Sequence, residues 1–141
     1  MNVEVNFLAV FLAAIVSMAV GFMWYSHTFF AKPWMKEMGL TSESLKKAQK
    51  EMGKIYGFSF VLALVSAYVL THVMAFSETF YGYSALTTGL TSGFYMWLGF
   101  VMPVQATDQI FGKKNWRLLA INTGYQLTSL LLMGLVIGLL R

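Results

Sequence analysis

The chain has 141 residues, of which 57% are hydrophobic and 11% are charged; its net charge is +4 and it contains no cysteine. A soluble globular chain is roughly one quarter charged, so this composition excludes an ordinary soluble domain, and the lack of cysteine excludes disulfides and thiolate metal sites. The length suits one membrane domain, residues 1–141, and basic residues beside apolar stretches indicate membrane lipids, with no nucleic acid, as partners.

Four apolar stretches without Lys, Arg, Asp or Glu follow one another along the chain. They cover about residues 7–25, 55–76, 85–103 and 118–140. Each approaches or exceeds the roughly 20 helical residues that cross the ~30 Å hydrocarbon core of a bilayer. A helix satisfies its backbone polar groups within one segment, as lipid requires. We therefore predict an all-α fold, an integral membrane four-helix bundle.

The basic residues are distributed unevenly between the predicted loops. Residues 26–54 and 104–117 hold nine of the ten Lys and Arg side chains, and only Arg141 lies on the other side. Short basic loops remain in the cytoplasm, so we expect a multi-pass protein of the plasma or bacterial inner membrane with both termini outside. The residues before the first span have no Lys or Arg, which argues against a cleavable signal peptide there.

The first basic loop is predicted to contain a short cytoplasmic interfacial helix. Ser42 is its candidate N-cap, and Glu43 in the first turn complements the helix dipole. An apolar row that begins at Leu45 runs beside a row of lysines, as in a helix lying on the inner leaflet. The alternative is a solvated connector that extends the second span. The candidate contacts to lipid headgroups in the two basic loops are Lys46, Lys50, Lys54, Lys113, Lys114 and Arg117.

Small residues recur four positions apart in each predicted span. The third span has Gly89 and Gly93, and the fourth has Gly134 and Gly138. Because lipid tails are as apolar as leucine, spans associate through close backbone approach rather than through burial. We predict a tight bundle, and the same stripes are suited to a homo-oligomer.

The fourth span carries the densest group of polar residues. Asn122, Gln126 and Ser129 share one face of the predicted helix. They allow two interpretations, namely hydrogen bonds between helices or a polar pocket that opens to the cytoplasm and has an aromatic rim. The candidate binding residues of such a pocket are Trp24, Tyr25, Trp34, Trp116, Asn122, Tyr125 and Gln126.

Catalytic signatures do not occur in the sequence. There is no Ser–His–Asp order, phosphate-binding glycine loop or paired carboxylate, and His27 and His72 are predicted at opposite faces of the membrane, too far apart to share a metal. We therefore expect a non-enzymatic protein without cofactor or metal, which binds lipid or a small amphiphile at the cytoplasmic face. The alternatives are a small oligomeric transporter or channel, and an accessory subunit of a membrane complex.

Several motifs together resemble one known family. They are the segments at residues 6–10, 21–26, 32–35, 110–116 and 121–125. In this order they are similar to the domain of unknown function 1761 family over nearly the whole chain. The resemblance implies a small four-span bacterial membrane protein and brings no assigned activity. The polar lead-in of Thr107, Asp108 and Gln109 departs from the family pattern, so the resemblance implies no role for Asp108.

Overall fold

The computed structural model describes residues 3–141, and this part of the chain is helical and contains no β-strand. The all-α class predicted from the sequence is confirmed. In chain order the elements are α1 (Phe7–Trp24), α2 (Ala31–Met38), α3 (Ser42–Gln49), α4 (Met52–Tyr81), α5 (Ala85–Met96), a π-helical segment (Trp97–Val101), α6 (Met102–Phe111) and α7 (Trp116–Leu139).

Three of the helices within the described residues are long and apolar enough to cross a membrane. They are α1, α4 and α7, which correspond to the first, second and fourth predicted spans. The third predicted span, residues 85–103, differs from expectation because it is not one α-helix. It consists of α5, the π-helical segment and the start of α6, and the helical path continues without a gap to Phe111.

The π-helical segment has a local cause in the sequence. Pro103 is the second residue of α6, and it has no N–H to donate to the carbonyl of Gly99. Its ring would also press on that carbonyl in a regular α-helix. In the π turn over Trp97–Val101 the Met102 N–H donates to the carbonyl of Trp97, five residues back, and the helical path continues past Pro103. The hydrophobic pattern alone does not reveal this change of helix type.

The first loop contains two short helices rather than the one that was predicted. α2 was not expected, and it ends at Gly39, whose φ of 67° is left-handed and favours glycine. α3 is the predicted helix, but Thr41 is its N-cap, which corrects the assignment to Ser42. Thr41 and Ser44 form a reciprocal capping box, with the Ser44 N–H 3.2 Å from Thr41 Oγ1 and the Thr41 N–H 2.9 Å from Ser44 Oγ.

α5 and α7 run antiparallel with their backbones in close contact. A Cβ atom added to Gly89 would clash with the carbonyl of Gly134, and a Cβ atom added to Gly134 would clash with the carbonyl of Gly89. One turn to either side, a Cβ on Gly93 would lie 2.7 Å from the Leu130 carbonyl oxygen, and a Cβ on Gly138 2.7 Å from that of Ala85. The predicted role of these glycines in close helix contact is therefore confirmed.

α1 packs antiparallel against another side of α7. The hydroxyls of Ser17 and Ser129 are hydrogen-bonded at 2.7 Å in a buried position, and Asn6 Nδ2 donates to the carbonyl of Leu140 at the far end. An apolar core fills the space between α1, α4 and α7 in this half of the molecule. Its members are Val10, Ala13, Ala67, Leu70, Met74, Met133 and Ile137.

The glycine contact predicts an unusually high sensitivity to a single methyl group. Gly89→Ala and Gly134→Ala each place a Cβ against the facing backbone, so the helices must separate. We expect each variant to lose about 1–3 kcal/mol of unfolding free energy, measured by denaturant titration in detergent. Gly57→Ala in α4 is the control, because no atom lies within 4 Å of its added Cβ. Equal stability of all three variants would contradict the close contact.

Candidate functional site

A cavity of about 1060 Å³ lies at the end of the molecule where α1 ends and α7 begins. We call it the loop-end cavity. Its walls come from the adjoining ends of α1, α4, α6 and α7 and from the two loop helices, α2 and α3. The apolar core described above fills the opposite half of the bundle, so the cavity is restricted to one end.

The apolar part of the cavity wall is rich in methionine and aromatic side chains. The methionines are Met18, Met35, Met38 and Met52. The ring of Tyr25 makes edge contacts with Trp34 and Tyr125, at centroid distances of 5.3 and 5.4 Å. Methionine is flexible and polarisable, and aromatic rings offer large rigid surfaces. Such a wall suits an apolar molecule of variable shape.

The apolar row predicted along α3 also faces the cavity. Leu45 and Ala48 in α3, and Met52 and Ile55 at the start of α4, are all part of the wall. The lysine row is divided between two helices, because Lys50 caps the end of α3 and Lys54 belongs to α4. α3 therefore presents its apolar side to the inside of the protein.

Tyr25 and Asn122 connect α1 to α7 at the edge of the cavity. The Tyr25 hydroxyl donates to Asn122 Oδ1 at 2.9 Å. Burial, with a smaller contribution from Tyr125, raises the pKa of Tyr25, which directly follows α1, to about 12. The hydroxyl therefore keeps its proton near neutral pH and remains a donor. Of the two interpretations of the polar face, hydrogen bonding between helices accounts for Asn122.

α6 contributes polar groups that the sequence analysis did not include in the site. Gln105, Asp108 and Gln109 all line the cavity, at the spacing that places them on one helix face. Gln105 Oε1 is buried and has no hydrogen-bond partner among the described residues. Buried polar atoms are normally hydrogen-bonded, so this oxygen is an unsatisfied acceptor, and its burial keeps it out of contact with the open space of the cavity.

The acidic and basic groups that line the cavity come from different elements. Lys46 belongs to α3, Asp108 to α6, and His27 to the turn after α1. Within residues 3–141, neither Lys46 nor Asp108 takes part in an ion pair. The cavity thus exposes one positive and one negative side chain that do not neutralise each other.

α2 is attached to the start of α7 through Glu37. Its carboxylate accepts from Asn115 Nδ2 at 2.7 Å and lies 3.6 Å from the guanidinium of Arg117. Asn115 is also the N-cap of α7, with its side-chain oxygen 3.0 Å from the Leu118 N–H. The position of α2 is therefore fixed relative to the start of α7, and Arg117, a predicted headgroup contact, has a protein partner.

Five of the seven predicted binding residues line the cavity. They are Tyr25, Trp34, Asn122, Tyr125 and Gln126. Trp24 does not line it, because its indole points into the bundle and donates to the Ile121 carbonyl at 3.0 Å. Trp116 does not line it either, since it is the exposed first residue of α7.

The other predicted headgroup contacts lie mostly on the outer surface. Lys46 is exposed and also lines the cavity. Four predicted headgroup contacts are exposed and lie outside the cavity, namely Lys50, Lys54, Lys113 and Lys114. If the third predicted helix had been extended past Pro103, the predicted site would have included Gln105 and Asp108, because they are spaced one helical turn apart.

The family model described as "Protein of unknown function (DUF1761)" matches residues 8–138. The chain belongs to this family. The match covers nearly the whole chain and confirms the resemblance carried by the motifs. No curated protein and no solved structure matches the chain. The loop-end cavity of this DUF1761 protein is therefore interpreted from its own geometry.

The Tyr25–Asn122 hydrogen bond can be tested with a double-mutant cycle. In this DUF1761 protein, Asn122→Leu removes the acceptor of a half-buried hydroxyl, and we expect a loss of about 1–3 kcal/mol of unfolding free energy. Tyr25→Phe removes the donor instead. Because the two residues share one interaction, the double variant should lose less than the sum of the single losses. Strictly additive losses, measured by unfolding in detergent, would show that the bond contributes nothing.

Proposed function

We propose that this protein is a non-enzymatic, multi-pass membrane protein that binds a lipid or lipid-like amphiphile in the loop-end cavity. The observation that carries the proposal is the cavity itself. It has the size of a ligand site, and its wall combines methionine and aromatic side chains with polar and charged ones. Its apolar wall suits acyl chains, and its polar groups suit a headgroup.

A fourth crossing is part of the proposal. The segment from Ala85 to Phe111 is helical throughout, and its first part, residues 85–103, has no charged residue. It runs antiparallel to α7, a candidate span, in direct backbone contact. An element held in this way against a membrane-spanning helix is best placed in the same bilayer. The result is a four-helix membrane bundle.

The loop-end cavity is proposed to face the cytoplasm. The two loops with nine of the ten basic residues are at this end, so the distribution of positive charge favours a cytoplasmic location for it and an external location for both termini. In this orientation α3 covers the cavity at the level of the inner leaflet, with its exposed Lys47 and Lys50 near the headgroups.

Binding accounts for the structure better than transport does. The loop-end cavity does not continue into the opposite half of the bundle, where Leu70, Met74, Met133 and Ile137 are almost completely buried against one another. A transport path through this chain would need that packed core to open. A pocket closed at its inner end instead holds an amphiphile at one leaflet.

Cysteine labelling tests the orientation, because the natural chain has no cysteine to interfere. Glu43 lies in α3 and Tyr83 in the short turn between α4 and α5, and both are exposed. On intact cells, an impermeant maleimide should label the Tyr83→Cys variant only. The Glu43→Cys variant should react after the membrane has been opened. The opposite pattern would place the cavity outside.

A substitution that fills the cavity tests amphiphile binding. Ser59 lies in the cavity wall, whereas Ser66 is in the same helix and exposed on the outer surface. We expect Ser59→Trp to retain less co-extracted lipid than the parent in native mass spectrometry, because the indole occupies the site. Ser66→Trp, the matched control, should retain as much lipid as the parent. Equal retention by both variants would contradict binding in the cavity.

A further inference from the structure

We propose that the loop-end cavity selects a zwitterionic phosphoamine headgroup, with its phosphate at Lys46 and its primary ammonium at Asp108. This inference rests on the proposed binding of an amphiphile and adds the chemical class of the ligand. It follows from two side chains of opposite charge, Lys46 and Asp108, which line the cavity and have no ion-pair partner among the described residues.

The two charged side chains favour a ligand that carries both signs. Lys46 and Asp108 line the same cavity from α3 and α6, and neither is in an ion pair with another residue in the described part of the chain. An anionic headgroup would satisfy Lys46 and be repelled by Asp108. A purely cationic one would do the reverse. A zwitterion complements both groups, and such matching of charge provides specificity.

The ammonium side is defined by the carboxylate of Asp108. This residue lines the cavity from α6 and is not in an ion pair with any residue in the described part of the chain. A primary ammonium has three N–H groups and can donate to the carboxylate in a charge-assisted hydrogen bond. A trimethylated ammonium has no N–H to donate, so the carboxylate favours ethanolamine over choline.

The phosphate side is defined by donors on α3. Lys46 has three N–H groups, and Gln49 follows one turn later and also lines the cavity. Lys47 is the next residue, but it is exposed and lies outside the cavity wall. The two adjacent lysines therefore provide a matched pair, of which one faces the proposed site.

Lipid competition tests this selection with the full chain in detergent. Dioleoyl phosphatidylethanolamine, phosphatidylcholine and phosphatidylglycerol would be added in equal amounts, and the lipid retained would be measured by native mass spectrometry. We expect the ethanolamine lipid to be preferred about tenfold, the value of one charge-assisted hydrogen bond. Asp108→Asn should remove the preference for phosphatidylethanolamine over phosphatidylglycerol. Lys46→Gln should weaken the retention of both of these lipids.

The controls separate headgroup recognition from a general change in surface charge. Lys47→Gln and Glu43→Gln alter exposed charges on α3 outside the cavity and should leave the selectivity of the parent unchanged. Asp108 is exposed and Lys46 is exposed, so both variants should melt at the temperature of the parent. A loss of lipid retention in Lys47→Gln equal to that in Lys46→Gln would overturn the assignment of the phosphate to Lys46.

The remaining outcomes distinguish this inference from the proposed function. Equal retention of the three lipids would overturn the headgroup inference and leave amphiphile binding intact. Retention of none of them by the parent would overturn both. Displacement of the lipid by soluble glycerophosphoethanolamine at the same concentration would support headgroup recognition, and it would contradict the need for acyl chains that the proposed function includes.

Discussion

The contact between the backbones of α5 and α7 is the constraint on which the rest of the structure depends. At Gly89 and Gly134 there is no room for a side chain on either helix. In lipid, burial of apolar surface does not hold helices together, so packing at this distance is the main source of attraction. The contact holds the segment that contains the π turn beside α7, and it thereby brings α6 to the cavity.

α7 is held from a second direction by α1. The Ser17–Ser129 hydrogen bond lies near the middle of the pair, and the Trp24 indole donates to the Ile121 carbonyl near its end. Tyr25 follows directly and reaches Asn122. The cavity wall is therefore a continuation of the helix packing, and the aromatic residues at this end are positioned by contacts deeper in the bundle.

Hydrophobic pattern and small-residue spacing predicted much of this fold. Apolar stretches without charge indicate helices because lipid leaves few alternatives, and glycines four residues apart indicate close contact because they form a stripe on one face. The same patterns could not predict the π turn. It depends on the missing N–H of Pro103, a local effect that leaves hydropathy unchanged. As a result, Gln105 and Asp108 were read as belonging to a loop.

The candidate site was predicted only in part, because the sequence shows which residues are polar or aromatic but does not show the direction of each side chain. Tyr25, Trp34 and Asn122 were found because polar and aromatic residues near a membrane boundary stand out in an apolar chain. The direction of an interfacial indole cannot be read from its position, so Trp24 and Trp116 were treated alike. In the structure Trp24 is turned towards α7, whereas Trp116 is exposed. The cap at Thr41 was missed because two adjacent hydroxyl residues are equally good candidates by type.

The hydrogen bonds that two indoles donate to α7 limit the motion of this helix. Trp24 reaches the Ile121 carbonyl, and Trp97 from the π turn reaches the Thr123 carbonyl at 2.9 Å. Because these acceptors are on the backbone, α7 cannot rotate about its axis or slide along it without losing both bonds. α3 has no buried residue and is joined to α2 through the left-handed Gly39. We therefore expect local opening at this end to begin at α3, while the long helices act as a rigid frame.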